Sequence, residues 1–132
     1  MAQVMYQNFS QNTTPVTMVT TAETLIITSN SLDWPTGANF ALILAYMSVT
    51  LSAGVTSLTL RIRRGNSLTG TVVASTGAIN SGVTASDVWA DGFQAVDNPA
   101  PSDLAQYSLT AQVAGAGANS TTSLQSIALF LF

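Results

Sequence analysis

Two stretches of this chain, Phe40–Leu51 (FALILAYMSVTL) and Leu124–Phe132 (LQSIALFLF), refuse to alternate between apolar and polar residues. Read as β-strands, each carries large apolar side chains on both faces. In the first, Phe40, Leu42, Leu44 and Tyr46 oppose Ile43, Met47, Val49 and Leu51. In the second, Leu124, Ala128, Phe130 and Phe132 oppose Ile127, Leu129 and Leu131. An antiparallel strand with one face in water normally reads apolar-in, polar-out. A second apolar face therefore needs a cover, and a single domain of 132 residues has no third layer to provide one. The expected cover is another copy of the chain.

Composition supports an assembling, chemically quiet module. Hydrophobic residues make up 47% of the chain and charged residues only 7%, against about 25% charged in ordinary globular domains. Lys, His and Cys are absent. Without Cys there is no disulfide framework of the small secreted kind. A net charge of −3 with three arginines gives no electrostatic footprint for nucleic acid. No run approaches the roughly 18–20 apolar residues of a membrane helix. The start, MAQVMYQNFSQNTTP, lacks the basic and apolar regions of a signal peptide. The expectation is thus a chain with neither nucleic-acid nor membrane partners. Asn-x-Ser/Thr matches at Asn8, Asn12 and Asn119 are expected by chance in so Ser/Thr-rich a chain.

No 3.6-residue periodicity is sustained, whereas β-branched residues and short alternating runs abound. Eight strands are predicted: Val16–Thr21, Thr24–Ser29, Asn39–Leu51, Ser57–Arg63, Gly70–Ser75, Asp87–Val96, Ala105–Ala114 and Thr121–Phe132. Turn signals separate them, among them Trp34-Pro35-Thr36-Gly37, Ala53-Gly54, Gly65-Asn66, Asn80-Ser81-Gly82, Asn98-Pro99-Ala100-Pro101 and Gly115-Ala116-Gly117. The fold class is all-β, an eight-stranded antiparallel jelly-roll sandwich that forms trimers. An immunoglobulin-type sandwich is the runner-up, without the Cys pair that would favour it. Residues 15–132 form the jelly-roll domain, and residues 1–14 an N-terminal arm with Met5, Tyr6 and Phe9 in a polar setting. The plain reading of such an arm is a disordered tail; the alternative is a segment that orders on a partner. Leu58, Leu60 and Ile62 should face the core and Thr59, Arg61 and Arg63 the solvent, while Tyr107, Leu109, Ala111 and Val113 alternate against Ser108, Thr110 and Gln112. The final Leu-Phe-Leu-Phe, left exposed, would invite aggregation, so it should be pinned near a subunit contact.

Catalytic chemistry has little to work with. Without His, Cys or Lys, Ser-His and Cys-His nucleophiles, the usual zinc sites and Schiff bases are unavailable. Asp87, Asp91, Asp97 and Asp103 cluster in one third of the chain and could in principle supply a glycosidase pair. They read better as turn residues: Asp91-Gly92 as a hairpin turn or bulge, Asp97-Asn98-Pro99 as a strand end, Ser102-Asp103 as a loop. A calcium site from Asp97, Asn98 and Asp103 has suitable oxygens but no motif. Neither an enzyme nor a cofactor is expected. Arg61, Arg63 and Arg64 read as a solvated strand face that keeps an edge from pairing, or as ion-pair donors to an acidic partner. Trp34, Trp89, Tyr46, Tyr107 and Phe93 could build a sugar platform, though aromatics in small sandwiches are more often core or interface anchors. Trp34 and Trp89, near turns, stay open for ligand stacking.

The run SLTLRIRRGNSLTGTVVAST (57–76), followed by VDNPAPSDLAQYSLTAQV (96–113) and a terminal apolar strand, resembles small jelly-roll proteins of tailed bacteriophages. The shared pattern is an L-x-L-R-I-R-R-G strand before T-G-T-V-V, then a D-x-P turn leading into a Tyr-x-Leu strand. The resemblance spans about residues 40–132. It implies trimers like those of the tumour-necrosis-factor fold and a role as capsid decoration (cement) protein, or as part of a fibre or spike. It carries over no catalytic residue. The expectation is a virion protein made in the host cytoplasm that binds the major capsid protein on the outer capsid surface as a homotrimer. The trimer contact would draw on Tyr46, Met47, Ile127, Leu129, Phe130 and Phe132, and capsid attachment on Met5, Tyr6 and Phe9. The alternative is a receptor- or carbohydrate-binding tip module.

Overall fold

The computed structural model describes residues 3–81, 85–98 and 104–132. Among them lie twelve strands and no helix: β1 (Tyr6–Asn12), β2 (Thr17–Met18), β3 (Glu23–Thr28), β4 (Leu32–Asp33), β5 (Ala41–Leu51), β6 (Val55–Arg64), β7 (Val72–Ser75), β8 (Ile79–Asn80), β9 (Asp87–Asp97), β10 (Leu104–Ala105), β11 (Tyr107–Gly115) and β12 (Ser120–Leu131). They form two antiparallel sheets. The first runs β1-β12-β5-β9, with β2 taking over from β1 along the same side of β12; the second runs β3-β11-β6-β7, with β8 also on β6. The pair β4 and β10 stands apart. The chain crosses repeatedly between sheets, from β5 to β6 and from β11 to β12, as a jelly roll does.

The core lies between the sheets and obeys the period of two. The first sheet contributes Ala41, Ile43, Ala45, Met47, Val49 and Leu51 from β5 and Ile127, Leu129 and Leu131 from β12. The second answers with Leu58, Leu60 and Ile62 from β6 and Tyr107, Leu109, Ala111 and Val113 from β11. The inward faces expected for β6 and β11 are the ones observed.

Four expectations need correction. The structure holds short strands beyond the eight expected, and Val16–Thr21 shrinks to the two residues of β2. Residues 6–12 are not an arm awaiting a partner: Tyr6 pairs with Leu131 and each residue through Asn12 continues the ladder along β12. Pro15, which has no N–H to donate, separates β1 from β2. There the buried Gln125 donates from Nε2 to the Thr14 carbonyl at 2.8 Å, and Val16 N–H donates to Thr122 Oγ1 at 2.9 Å. Asp91-Gly92 is no turn. β9 runs straight through it, and Gly92 sits opposite Tyr46, where a Cβ would stand 2.8 Å from the Ala45 carbonyl oxygen and 3.4 Å from the Tyr46 ring. The glycine lets β9 pass beside that ring. Finally, β6 is not an edge, because β11 flanks it on one side and β7 and β8 on the other.

Candidate functional site: the outward face of the first sheet

The two sheets turn very different surfaces outward. On the second, Glu23 of β3 accepts two hydrogen bonds from Arg63 of β6, both 2.8 Å, and one from Thr110 of β11; Arg61 lies 3.6 Å away. Its carboxyl is held below the ordinary carboxylate range, chiefly by the Arg63 hydrogen bonds, against an opposing desolvation. Arg61 also donates to Gln112 at 3.1 Å. This is a polar face on which the one carboxylate is shared by two arginines.

Arg64, next in sequence, points the other way because successive strand residues alternate. It crosses the end of the sandwich to Asp97, the last residue of β9, with bonds of 2.6 and 2.5 Å. Tyr107 of β11 donates its phenol to the same carboxylate at 2.8 Å, and burial with that bond raises the phenol's pKa. One buried carboxylate thus ties the two sheets together. The arginines are therefore neither a bare solvated face nor free donors for an acidic partner. Asp97 is committed to Arg64 and Tyr107, and Asp103, its supposed companion in a calcium site, lies outside the described residues. No cluster of three acidic or other metal-ligating side chains exists among the described residues.

On the first sheet the outward positions read across the strands in rows. Phe132 faces Phe40, the rings stacked 4.8 Å apart and nearly parallel at 8°. Next comes Gln7–Phe130–Leu42–Val96, then Phe9–Ala128–Leu44–Gln94, then Gln11–Ser126–Tyr46–Gly92. Beyond these the face turns to Leu124, Ser48 and Ala90 and, last, Thr50 beside Val88. No Asp, Glu, Lys or Arg occupies an outward position of β1, β5, β9 or β12. Phe9, Val96, Val88, Met5 and Leu44 are exposed, and Phe130 and Phe132 only half covered. A hollow of about 330 Å³ opens on this face between β1 and β12, lined by Gln7, Asn8, Phe9, Ala128 and Phe130. So extended an uncharged face is unusual on a free surface.

The residues expected at a trimer contact divide between two faces. Tyr46, Phe130 and Phe132 lie outward, whereas Met47, Ile127 and Leu129 are fully buried within the single chain and belong to its core. The expectation for those three is corrected: neighbouring residues on one strand cannot share a face. Of the supposed attachment residues, Met5 and Phe9 are exposed, while Tyr6 turns inward and packs on the core. Trp34 and Trp89 also pack against the core, so neither stands free as a stacking platform. Residues the sequence reading missed here are Gln7 and Val96, which matter through their place in the register rather than through their type.

The architecture is that of an all-β antiparallel sandwich of jelly-roll type. No family model and no curated protein matches the sequence, but solved structures share its fold. A structure of infectious bursal disease virus, Gt strain, superposes with a TM-score of 0.63 at 14% identity, over 98% of this chain and 34% of that one. The VP2 subviral particle of the same virus gives 0.61 at 13% identity, over 96% and 33%. The Eiger TNF of S. frugiperda gives 0.54 at 11% identity, over 98% and 94%. The chain spans about a third of the viral chains and nearly all of the TNF chain.

Proposed function

We propose that this chain is a structural, non-enzymatic virion protein that sits as a homotrimer on the outer surface of a capsid and stabilises the shell. The observation that carries the reading is the uncharged outward face of the first sheet, left open in the single chain while the second sheet has a finished polar surface. Three-fold positions on a shell call for a three-fold partner, and a trimer would bury this face. At about 25 cal/mol per Å², a few hundred Å² of apolar contact per subunit contributes several kcal/mol before association costs. The likeness to proteins of virus particles supports the setting through fold alone, and the phage sequence pattern over residues 57–113 supports a tailed bacteriophage as its source. In this reading the major capsid protein is the partner, and the protein is made in the host cytoplasm.

The test has two parts. Sedimentation equilibrium of the purified chain should give a trimer at micromolar concentration; a stable monomer rejects the assembly. Particles purified from infected cells should carry the chain in many copies and lose heat resistance when it is stripped away. A chain found in only a few copies per particle is a tip protein instead.

A further inference from the structure

We propose that Asp87 and Asp91 guard the open edge of β9, each holding the backbone N–H of the residue after it, so that this edge of the first sheet accepts no strand from another chain. Among the described residues β9 ends its sheet, with β5 on one side and no strand on the other. At eleven residues it is the longest such edge; β1 has seven, β3 six and β7 four. A long unpaired edge is a template for strand addition unless something blocks it. The register shows which groups are at stake. Phe40 and Phe132 exchange backbone hydrogen bonds of 3.2 and 3.0 Å. Bonding direction alternates along a strand, so even-numbered residues of β5 serve β12 and odd-numbered ones serve β9. In the unbroken register of β5 with β9, odd-numbered residues answer them, from Asp87 opposite Leu51 to Asp97 opposite Ala41. Val88, Ala90, Gly92, Gln94 and Val96 therefore turn their backbone N–H and C=O groups away from β5, toward the open edge.

Two of those donors are already taken. Val88 N–H donates to Asp87 Oδ1 at 2.9 Å, and Gly92 N–H donates to Asp91 Oδ1 at 2.8 Å. Both carboxylates come from the inward side of the sheet, since their partners Leu51 and Met47 are core residues and residues directly opposite share a face. A charge pointing inward at the rim of a sandwich gains nothing in packing, but it does obstruct an edge. An incoming strand must break both bonds and cover the freed carboxylates. No cation is at hand to offset that loss: the chain has no Lys, and Arg61, Arg63 and Arg64 are engaged by Glu23 and Asp97. Two β9 edges pairing with each other would also bring the carboxylates of both copies together, where like charges repel. This edge lies apart from the outward face on which the trimer reading rests, so the two stand or fall separately.

Asp87→Thr and Asp91→Thr, prepared singly and together, remove the guard while keeping side chains suited to a strand. Asp33→Thr, at an exposed carboxylate on β4, removes the same unit of charge away from this edge and is the control for the single variants. Each is checked for folding by circular dichroism and sedimented beside the unmodified chain. The double variant should stay folded and form larger species as concentration rises, with a mean mass at least about twice that of the unmodified chain. Asp91→Thr should associate more than Asp33→Thr, which should sediment as the unmodified chain does. Gln94→Pro deletes a donor on the open edge and leaves the ladder with β5 intact, so adding it should return the double variant to the unmodified mass. A folded double variant that sediments like the unmodified chain overturns the proposal. So does association that survives Gln94→Pro, or that Asp33→Thr produces equally. Where the double variant fails to fold, the single variants are read in its place, and where Gln94→Pro fails to fold, Ala90→Pro replaces it. If neither single variant folds, the carboxylates hold the strand rather than guard its edge, and the proposal falls.

Discussion

Thr21 holds a backbone φ of 71°, the one non-glycine residue among those described in the left-handed region. A β-branched side chain is strained there, yet the position is fixed because Thr21 N–H donates to the Val113 carbonyl at 2.7 Å and its own carbonyl accepts from Gln112. The Thr21 side chain is exposed. Thr21→Asn, which tolerates this conformation, should therefore raise stability by about 0.5–1 kcal/mol, read as a higher Tm. Glu23 and Tyr107 set the two ends of the pH profile. The folded pKa of Glu23 lies below the ordinary carboxyl value of 4.5, so its contribution is complete above that value and is lost as pH falls through the folded pKa. Tyr107 works in the opposite sense. Its folded pKa lies above 10.0, so its contribution is complete below 10.0 and is lost as pH rises beyond it, where the unfolded phenol ionises. Denaturant titrations across pH should show Glu23→Gln flattening the acid slope and Tyr107→Phe the alkaline one. At pH 7, Glu23→Gln should cost about 2–4 kcal/mol, since it leaves Arg63 without its charged partner.

At the level of strands, β1 is the element whose removal matters most for solubility. It covers the hydrogen-bonding edge of β12 from Gln125 to Leu131 and buries part of Tyr6. Deleting residues 1–12 should cost at least about 2 kcal/mol and expose an apolar strand edge that aggregates on concentration; light scattering of the truncated chain checks this. β1 was illegible in the sequence for a physical reason. An edge strand that buries only Tyr6, Asn8 and Ser10 has no apolar period to read, and YQNFSQN looks like a tail. β5 and β12 were legible as strands because nearly every position is apolar, but that same excess hid which face turns inward. The side is set by what the second sheet presents, not by β5 or β12 themselves. Asp91-Gly92 misled differently: local turn chemistry was overridden by eleven residues of pairing with β5. The outward face was half legible, since its β5 and β12 residues stand out as apolar while Gln7 and Val96 join it only through pairing.

For the molecule as a whole, the division of labour between the sheets predicts two classes of mutant. Ile127 is wholly buried, and Ile127→Asp should prevent folding, at a cost above about 4 kcal/mol. Phe130, three residues further along the same strand, faces outward, and Phe130→Asp should leave a folded monomer, shown by circular dichroism together with sedimentation. Because the face holds no charge, assembly should persist at molar salt; a steep loss would instead implicate charged groups elsewhere. The same economy of charge has a practical side. Trypsin cuts only after Lys or Arg, and this chain offers it three bonds, after Arg61, Arg63 and Arg64, all in β6. That strand is hydrogen-bonded on both sides, and each arginine is engaged by a carboxylate. A protease needs several residues of free, extended backbone, which β6 can yield only when its sheet comes apart. Tryptic digestion of this protein would thus be blind to every loop and to fraying at either terminus, and its rate would track cooperative unfolding of the sheet that carries β6.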